Sequence, residues 1–236
     1  MKKALLFTAF TLLIHNIGFA QDATEVKKGY KYNNNFDIAL GAGSGQFSGA
    51  LSWIHFHGIG KKKKFKIGYG IRFTSYFGSN QNYMTAPPEL TAKPESIDTL
   101  FMTKAQVNAL NVSINLQYSF SSKFEVGFNI DAVGLSFGGK QTGQFISSTL
   151  PPINELHMHN ASVTPFNLLL VGDNDIGTLN SELYVRYWLS EKIGIKAGLG
   201  FLFTEFTTNN KLAFDNDRFR NKSMMGMIGI TFSPFR

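Results

Sequence analysis

Apolar and polar side chains alternate along much of this chain. From Leu110 to Phe120 six apolar residues, Leu110, Val112, Ile114, Leu116, Tyr118 and Phe120, are separated by Asn111, Ser113, Asn115, Gln117 and Ser119. A period of two puts every second side chain on one face of a strand, whereas on a helix it would scatter the apolar groups around the cylinder. Phe65, Ile67, Tyr69, Ile71 and Phe73 alternate with Lys66, Gly68, Gly70, Arg72 and Thr74, and Phe124, Val126, Phe128 and Ile130 with Glu125, Gly127, Asn129 and Asp131. Near the C-terminus, Ile193, Ile195, Ala197, Leu199, Phe201 and Phe203 are spaced by Gly194, Lys196, Gly198 and Gly200, and Ile228, Ile230 and Phe232 by Gly229, Thr231 and Ser233.

The pattern predicts eight strands: Phe36–Gly43, Phe47–His57, Lys64–Phe77, Ala105–Phe120, Phe124–Gly138, Gly177–Leu189, Lys192–Thr207 and Ser223–Phe235. The second has no clean alternation, so its register stays open. Several suit the ~9–11 tilted residues with which a strand crosses a bilayer. Short connections, Gly58–Lys63, Ser121–Lys123 and Ser190–Glu191, follow strands two, four and six; long ones, Ser79–Lys104, Gly139–Ile176 and Thr208–Lys222, follow strands three, five and seven. Short turns on one side and long loops on the other are the connectivity of outer-membrane barrels. Proline removes a ladder donor, and Pro87, Pro88, Pro94, Pro151, Pro152 and Pro165 all fall in the two longest connections.

The N-terminus adds an address. Lys2 and Lys3 precede a mostly apolar stretch, Ala4–Ile14, and Gly18-Phe19-Ala20 stands before Gln21. These are the parts of a cleavable secretory signal, too short to remain as a spanning helix. The expected organisation is therefore a signal peptide at 1–20, a periplasmic segment at 21–35 and a transmembrane barrel at 36–235. Without the first twenty residues 21 Lys and Arg face 16 Asp and Glu, a mild excess that does not call for nucleic acid. Mean hydropathy of -0.07 is compatible with a membrane only because barrel strands turn every second residue away from lipid. The chain has no cysteine, which excludes disulfides, thiolate metal sites and a cysteine nucleophile.

With its signal, alternating strands and terminal Gly226-Met227-Ile228-Gly229-Ile230-Thr231-Phe232-Ser233-Pro234-Phe235, the chain resembles the small eight-stranded outer-membrane β-barrel families, including PorT-like barrels and OmpA-type barrels without a periplasmic domain. The resemblance implies an all-β, antiparallel, up-and-down transmembrane barrel in the outer membrane of a Gram-negative cell. It also implies that Phe232 and Phe235 form the aromatic signal read by the barrel-insertion machinery. It does not convert to a function.

Eight strands enclose an interior just wide enough for side chains. The inward set read from the alternation is Lys66, Arg72, Glu125, Asn129, Asp131, Glu182, Arg186 and Lys196, with both signs present. Buried charges must pair or be hydrated, so a polar plug of salt bridges is expected, with a charge-lined conduit as the alternative. His55 with His57, and His157 with His159, have the spacing of a strand-borne metal pair, but no further ligand accompanies them, so interface and loop roles are expected and no metal. Lys61–Lys64 on a short turn has the charge to attract anionic headgroups or an acidic partner, or is simply solvated. Gly41, Gly43, Gly45 and Gly49 lack the Lys-Ser/Thr ending and following helix of a phosphate loop. The apolar run Phe166–Val171 is expected to fold over the barrel mouth, cap it as a short helix or meet a partner.

The expectation is a scaffold without enzymatic activity or cofactor, with outer-membrane lipid, lipopolysaccharide and surface proteins as partners. The alternatives are a membrane-embedded lipid hydrolase or acyltransferase, which needs Ser, His and a carboxylate on one rim, and a narrow channel. A soluble lipocalin-type barrel would carry the same alternation with its faces reversed.

Overall fold

The computed structural model describes residues 31–148, 157–170 and 174–234. The signal at 1–20, residues 21–30 of the following segment, Pro151, Pro152, Val171 and Phe235 lie outside them. The described residues form eleven strands in one antiparallel sheet, not eight. They are β1 (Tyr32–Gly43), β2 (Gln46–Ile59), β3 (Phe65–Thr85), β4 (Thr99–Ser119), β5 (Phe124–Phe137), β6 (Gln141–Ile146), β7 (Met158–Val163), β8 (Phe166–Leu168), β9 (Leu179–Trp188), β10 (Ile193–Thr208) and β11 (Arg218–Phe232). Among the described residues no helix is long and apolar enough to cross a membrane.

The three extra strands, β6 to β8, lie in the stretch 139–176 that the alternation reads as a loop. They are short and only partly buried, and they exist because the outer ends of β4, β5 and β10 offer ladder groups to pair with. The apolar run at Phe166 therefore starts as a strand on β5, not as a helix or a free lid. For the same reason β3 runs on to Thr85 and β4 begins at Thr99, which shrinks the predicted loop Ser79–Lys104 to residues 86–98.

The pairings close on themselves. β1 pairs β2, β2 pairs β3, β3 pairs β4, β4 pairs β5, β5 pairs β9, β9 pairs β10, β10 pairs β11, and β11 returns to β1. At the long-loop end a second, narrower ring forms. There β4 pairs β6, β6 pairs β7, β7 pairs β10, and β11 reaches β3 directly through Phe219 opposite Thr85. A β-bulge where Val112 gives way to Ser113 redirects β5: below it Phe124–Ile130 pairs β9, above it Val133–Leu135 pairs β8. Leu169 donates its N–H to the Ala132 carbonyl at that point, at 2.8 Å.

Sidedness is unambiguous along the lower ring. Ile38, Leu135 and Ile228 are 57, 60 and 66% exposed, while Asp37, Glu125 and Arg186 between such positions are at most 2% exposed. The open register of the second strand is now readable: Phe47, Leu51, Trp53, His55 and His57 face out, and Ile54 and Phe56 face in. Two large apolar side chains on the polar face are what blurred its alternation. Two glycines on β3 make room for them: a Cβ on Gly68 would sit 2.7 Å from the Phe56 ring and one on Gly70 3.2 Å from the Ile54 side chain.

The same packing rule gives a test. Gly127 on β5 has no space for a side chain because the Tyr184 ring occupies it. Gly127→Val is expected to lower stability by about 1–3 kcal/mol, as overpacking does. The urea midpoint of the refolded chain measures it, with Tyr184→Ala in the same molecule recovering part of the loss. An unmoved midpoint would mean that the two side chains are not packed together.

Candidate functional site

Inward parity on the lower ring gathers charged residues from β1, β3, β5, β9 and β10. Lys66 Nζ lies 3.2 Å from Glu125 Oε1, and Glu125 Oε2 lies 3.4 Å from Arg186 Nη1. Arg186 Nη2 is 3.1 Å from Asp37 Oδ2, which is 3.0 Å from Lys196 Nζ. Lys196 in turn is 3.0 Å from Glu182 Oε2, Glu182 Oε1 is 3.9 Å from Arg72 Nη1, and Arg72 Nε is 3.5 Å from Asp131 Oδ1. The eight charges form one chain of strictly alternating sign, four cations and four anions, and the links between β3 and β5, β3 and β9, and β9 and β1 span the lumen between strands that do not pair.

Neutral groups take up part of the remaining hydrogen-bond capacity, while Arg72 Nε, Arg186 Nε, Asp131 Oδ1 and Gln117 Nε2 make no hydrogen bond among the described residues. Asn129 accepts from Arg72 Nη2 and donates to Glu182 at 2.9 Å; Arg186 Nη1 donates to Gln117 at 2.7 Å; Asn111 donates to Asp131 at 2.8 Å. The Arg186 guanidinium also lies over the Tyr184 and Trp188 rings, 5.0 and 5.5 Å from their centroids. Charges this deeply buried are tolerable because each has an opposite neighbour and fixed donors or acceptors around it.

All eight residues read from the alternation, Lys66, Arg72, Glu125, Asn129, Asp131, Glu182, Arg186 and Lys196, are in this network. Asp37, Asn111 and Gln117 were missed as members. Asp37 sits between Phe36 and Ile38 in the same alternation, so the signal for it was present. Phe232 faces outward and pairs with Phe36 and Ile193.

Above the charges the interior turns apolar. Tyr76, Tyr83, Leu100, Met102, Val107, Leu202, Phe206 and Phe219 form a buried cluster inside the narrow ring. Glu205 stands beside it, 2.9 Å from Arg218 Nε and 2.7 Å from Arg220 Nη2. The lumen is thus filled by ion pairs below and by a hydrocarbon stopper above.

The histidines are not brought together. His55 and His57 lie on the outer wall, ring centroids 4.6 Å apart, in an aromatic group with Tyr32, Trp53 and Tyr69. His55 Nδ1 is 2.7 Å from Asn34 Oδ1. His159 is at the far end against Phe145, where burial and then the neighbouring His157 hold its pKa below the ordinary imidazole value. Among the described residues no group of three or more His, Cys, Asp and Glu is placed to hold a metal. Gly41, Gly43 and Gly45 shape the top of the β1–β2 hairpin, Gly45 with a φ of 65°.

No family model and no curated protein matches the chain. Among solved structures it is similar to a de novo designed transmembrane β-barrel, at 7% identity over 87% of this chain and 98% of the other, with a TM-score of 0.37. It is similar to Neisserial surface protein A (NspA) at 9% identity, over 85% of this chain and 94% of that one, with a TM-score of 0.35. A major outer membrane protein from Thermus thermophilus aligns at 10% identity over 86% of this chain and 100% of its own, with a TM-score of 0.40.

Proposed function

We propose that the chain is exported by a cleaved N-terminal signal and inserted in the outer membrane of a Gram-negative cell as a transmembrane β-barrel. In this reading the wall that spans the bilayer is the lower ring of eight strands, and the narrow ring stands outside it as an extracellular extension. The observation that carries the reading is the inversion of the faces. Large apolar side chains such as Ile38, Leu135 and Ile228 point out to the surroundings, while eight charged residues are sealed inside. In water that arrangement wastes the hydrophobic effect; in lipid it is the favourable one. It also argues against the lipocalin-type alternative, whose faces would be reversed.

The barrel serves as a rigid scaffold without catalytic activity, presenting the long-loop end to lipopolysaccharide or surface proteins. Ion pairs and the apolar stopper in series favour this over a channel. Cell fractionation tests the placement: the protein is expected with the outer membrane after carbonate washing and to shift in gel migration on boiling. Release as a soluble protein would overturn it. In planar bilayers the purified protein is expected to give no stepwise conductance, and regular steps would restore the channel reading.

A further inference from the structure

The net positive charge of the described residues is confined to one lip of the ring. The lumen holds four basic and four acidic side chains. The long-loop end, above the lumen, holds seven of each. The short-turn lip carries Lys31, the run Lys61–Lys64, Lys123 and Lys192 against Glu191 alone.

Four of these lysines are placed by the sheet. The backbone carbonyl of Lys31 accepts from Gly58 N–H at 2.9 Å, Lys64 from Ser119 at 2.9 Å, Lys123 from Trp188 at 2.8 Å and Lys192 from Ser233 at 2.8 Å. They stand at the starts of β1, β3, β5 and β10, every second strand of the lower ring, each on the last rung of the wall. Each is followed directly by an outward apolar or aromatic residue: Tyr32, Phe65, Phe124 and Ile193. The Lys31 ammonium lies 5.1 Å from the Tyr32 ring centroid, so that stem reaches the outer wall.

From this spacing we infer that the short-turn lip is a ring of lysines that binds the anionic headgroups of the phospholipid leaflet surrounding it. The inference rests on the membrane reading above and names the lipid class that reading leaves open. The four lysines share the inward parity of Asn33, Lys66, Glu125 and Gly194, but on the last rung no wall continues beyond them. A lysine stem is long enough to turn over the rim, as Lys31 does, so that its ammonium reaches the phosphates beside the aromatic or apolar residue that follows. Distribution around the whole circumference suits annular lipid; a single acidic protein would meet one contiguous patch.

The test places the protein, purified from membranes of expressing cells, in nanodiscs of equal phosphatidylglycerol and phosphatidylcholine, then weighs the lipids retained on it by native mass spectrometry. Phosphatidylglycerol is expected to be enriched by about tenfold, the size of effect a few lysines exert at an anionic surface. The enrichment should fall to near parity in a K31Q/K64Q/K123Q/K192Q variant and persist in K93Q/K104Q/K140Q/K211Q, altered at the other end. Gel migration with and without boiling is followed in each variant, so loss of the barrel itself is seen separately. Equal retention of the two lipids by the folded protein, or equal loss of enrichment in both variants, would overturn the inference. Equal retention together with capture of polyglutamate would give the lip to an acidic polypeptide instead.

Discussion

Arg186→Met is expected to cost the folded protein about 3–5 kcal/mol, the range for breaking a buried ion pair from one side. Arg186 is the most connected side chain of the lumen, touching Asp37, Glu125 and Gln117 and lying over two aromatic rings. Methionine replaces its volume but leaves the network with one anion in excess, in a place that the apolar stopper screens from one side. Asp37 and Glu125 keep Lys196 and Lys66 as partners, which sets the loss toward the lower end of that range. Adding Asp37→Asn restores neutrality, so the double variant should be more stable than the sum of the single losses. Urea unfolding in lipid vesicles, analysed as a double-mutant cycle, reads both numbers. A single variant within about 0.5 kcal/mol of the parent would match an exposed pair and mean that the lumen is open to water.

The second large effect is on the outer wall. Ile114 lies part-way up the lower ring, in the half of β4 that ends at Ser119, outward between Tyr69 on β3 and Ile130 on β5. Ile114→Arg is expected to destabilise the protein in vesicles by about 2–4 kcal/mol, the cost of arginine at the bilayer midplane. Phe65→Arg at the lip should lose only the ring's packing and ~0–1 kcal/mol for the charge. That gradient with depth separates a membrane wall from a soluble one: in water an exposed arginine at residue 114 would cost little at either height. Equal, small effects at the two positions would refute the membrane placement.

Most of the lower ring was legible because its strands obey one rule over many residues. Leu110–Phe120 needs no context to be read, and the polar positions of residues 124–131, in the same alternation, supplied Glu125, Asn129 and Asp131 to the lumen directly. The rule failed where another force took over. On β2 the inward Ile54 and Phe56 fill space left by glycine on β3, so polarity no longer marks the face. In residues 139–176 the strands β6, β7 and β8 are too short to show a period, and their partners are the ends of distant strands, which no local pattern announces. The outer ends of β3 and β4 were cut short because the faces change character there: Tyr83, Leu100 and Met102 are buried inside while Ser79, Asn80, Asn82, Thr103 and Lys104 are exposed, and Asn80, with a φ of 54°, interrupts the register.

One junction also orders the assembly of the molecule. The β1–β2 hairpin turns at Ser44 and Gly45, held by the Ser79 N–H donating to Gly45 at 2.8 Å, and β3 and β11 meet just beyond it. Thr85 and Phe219 are far apart along the chain, and bringing them together unaided would mean closing a very long loop. Once the hairpin is zipped to β3 on one side and to β11 on the other, those two strands already flank it, and their outer ends need only lean together. The narrow ring is therefore the late event: the first and last strands must find each other before the far end of the molecule can shut.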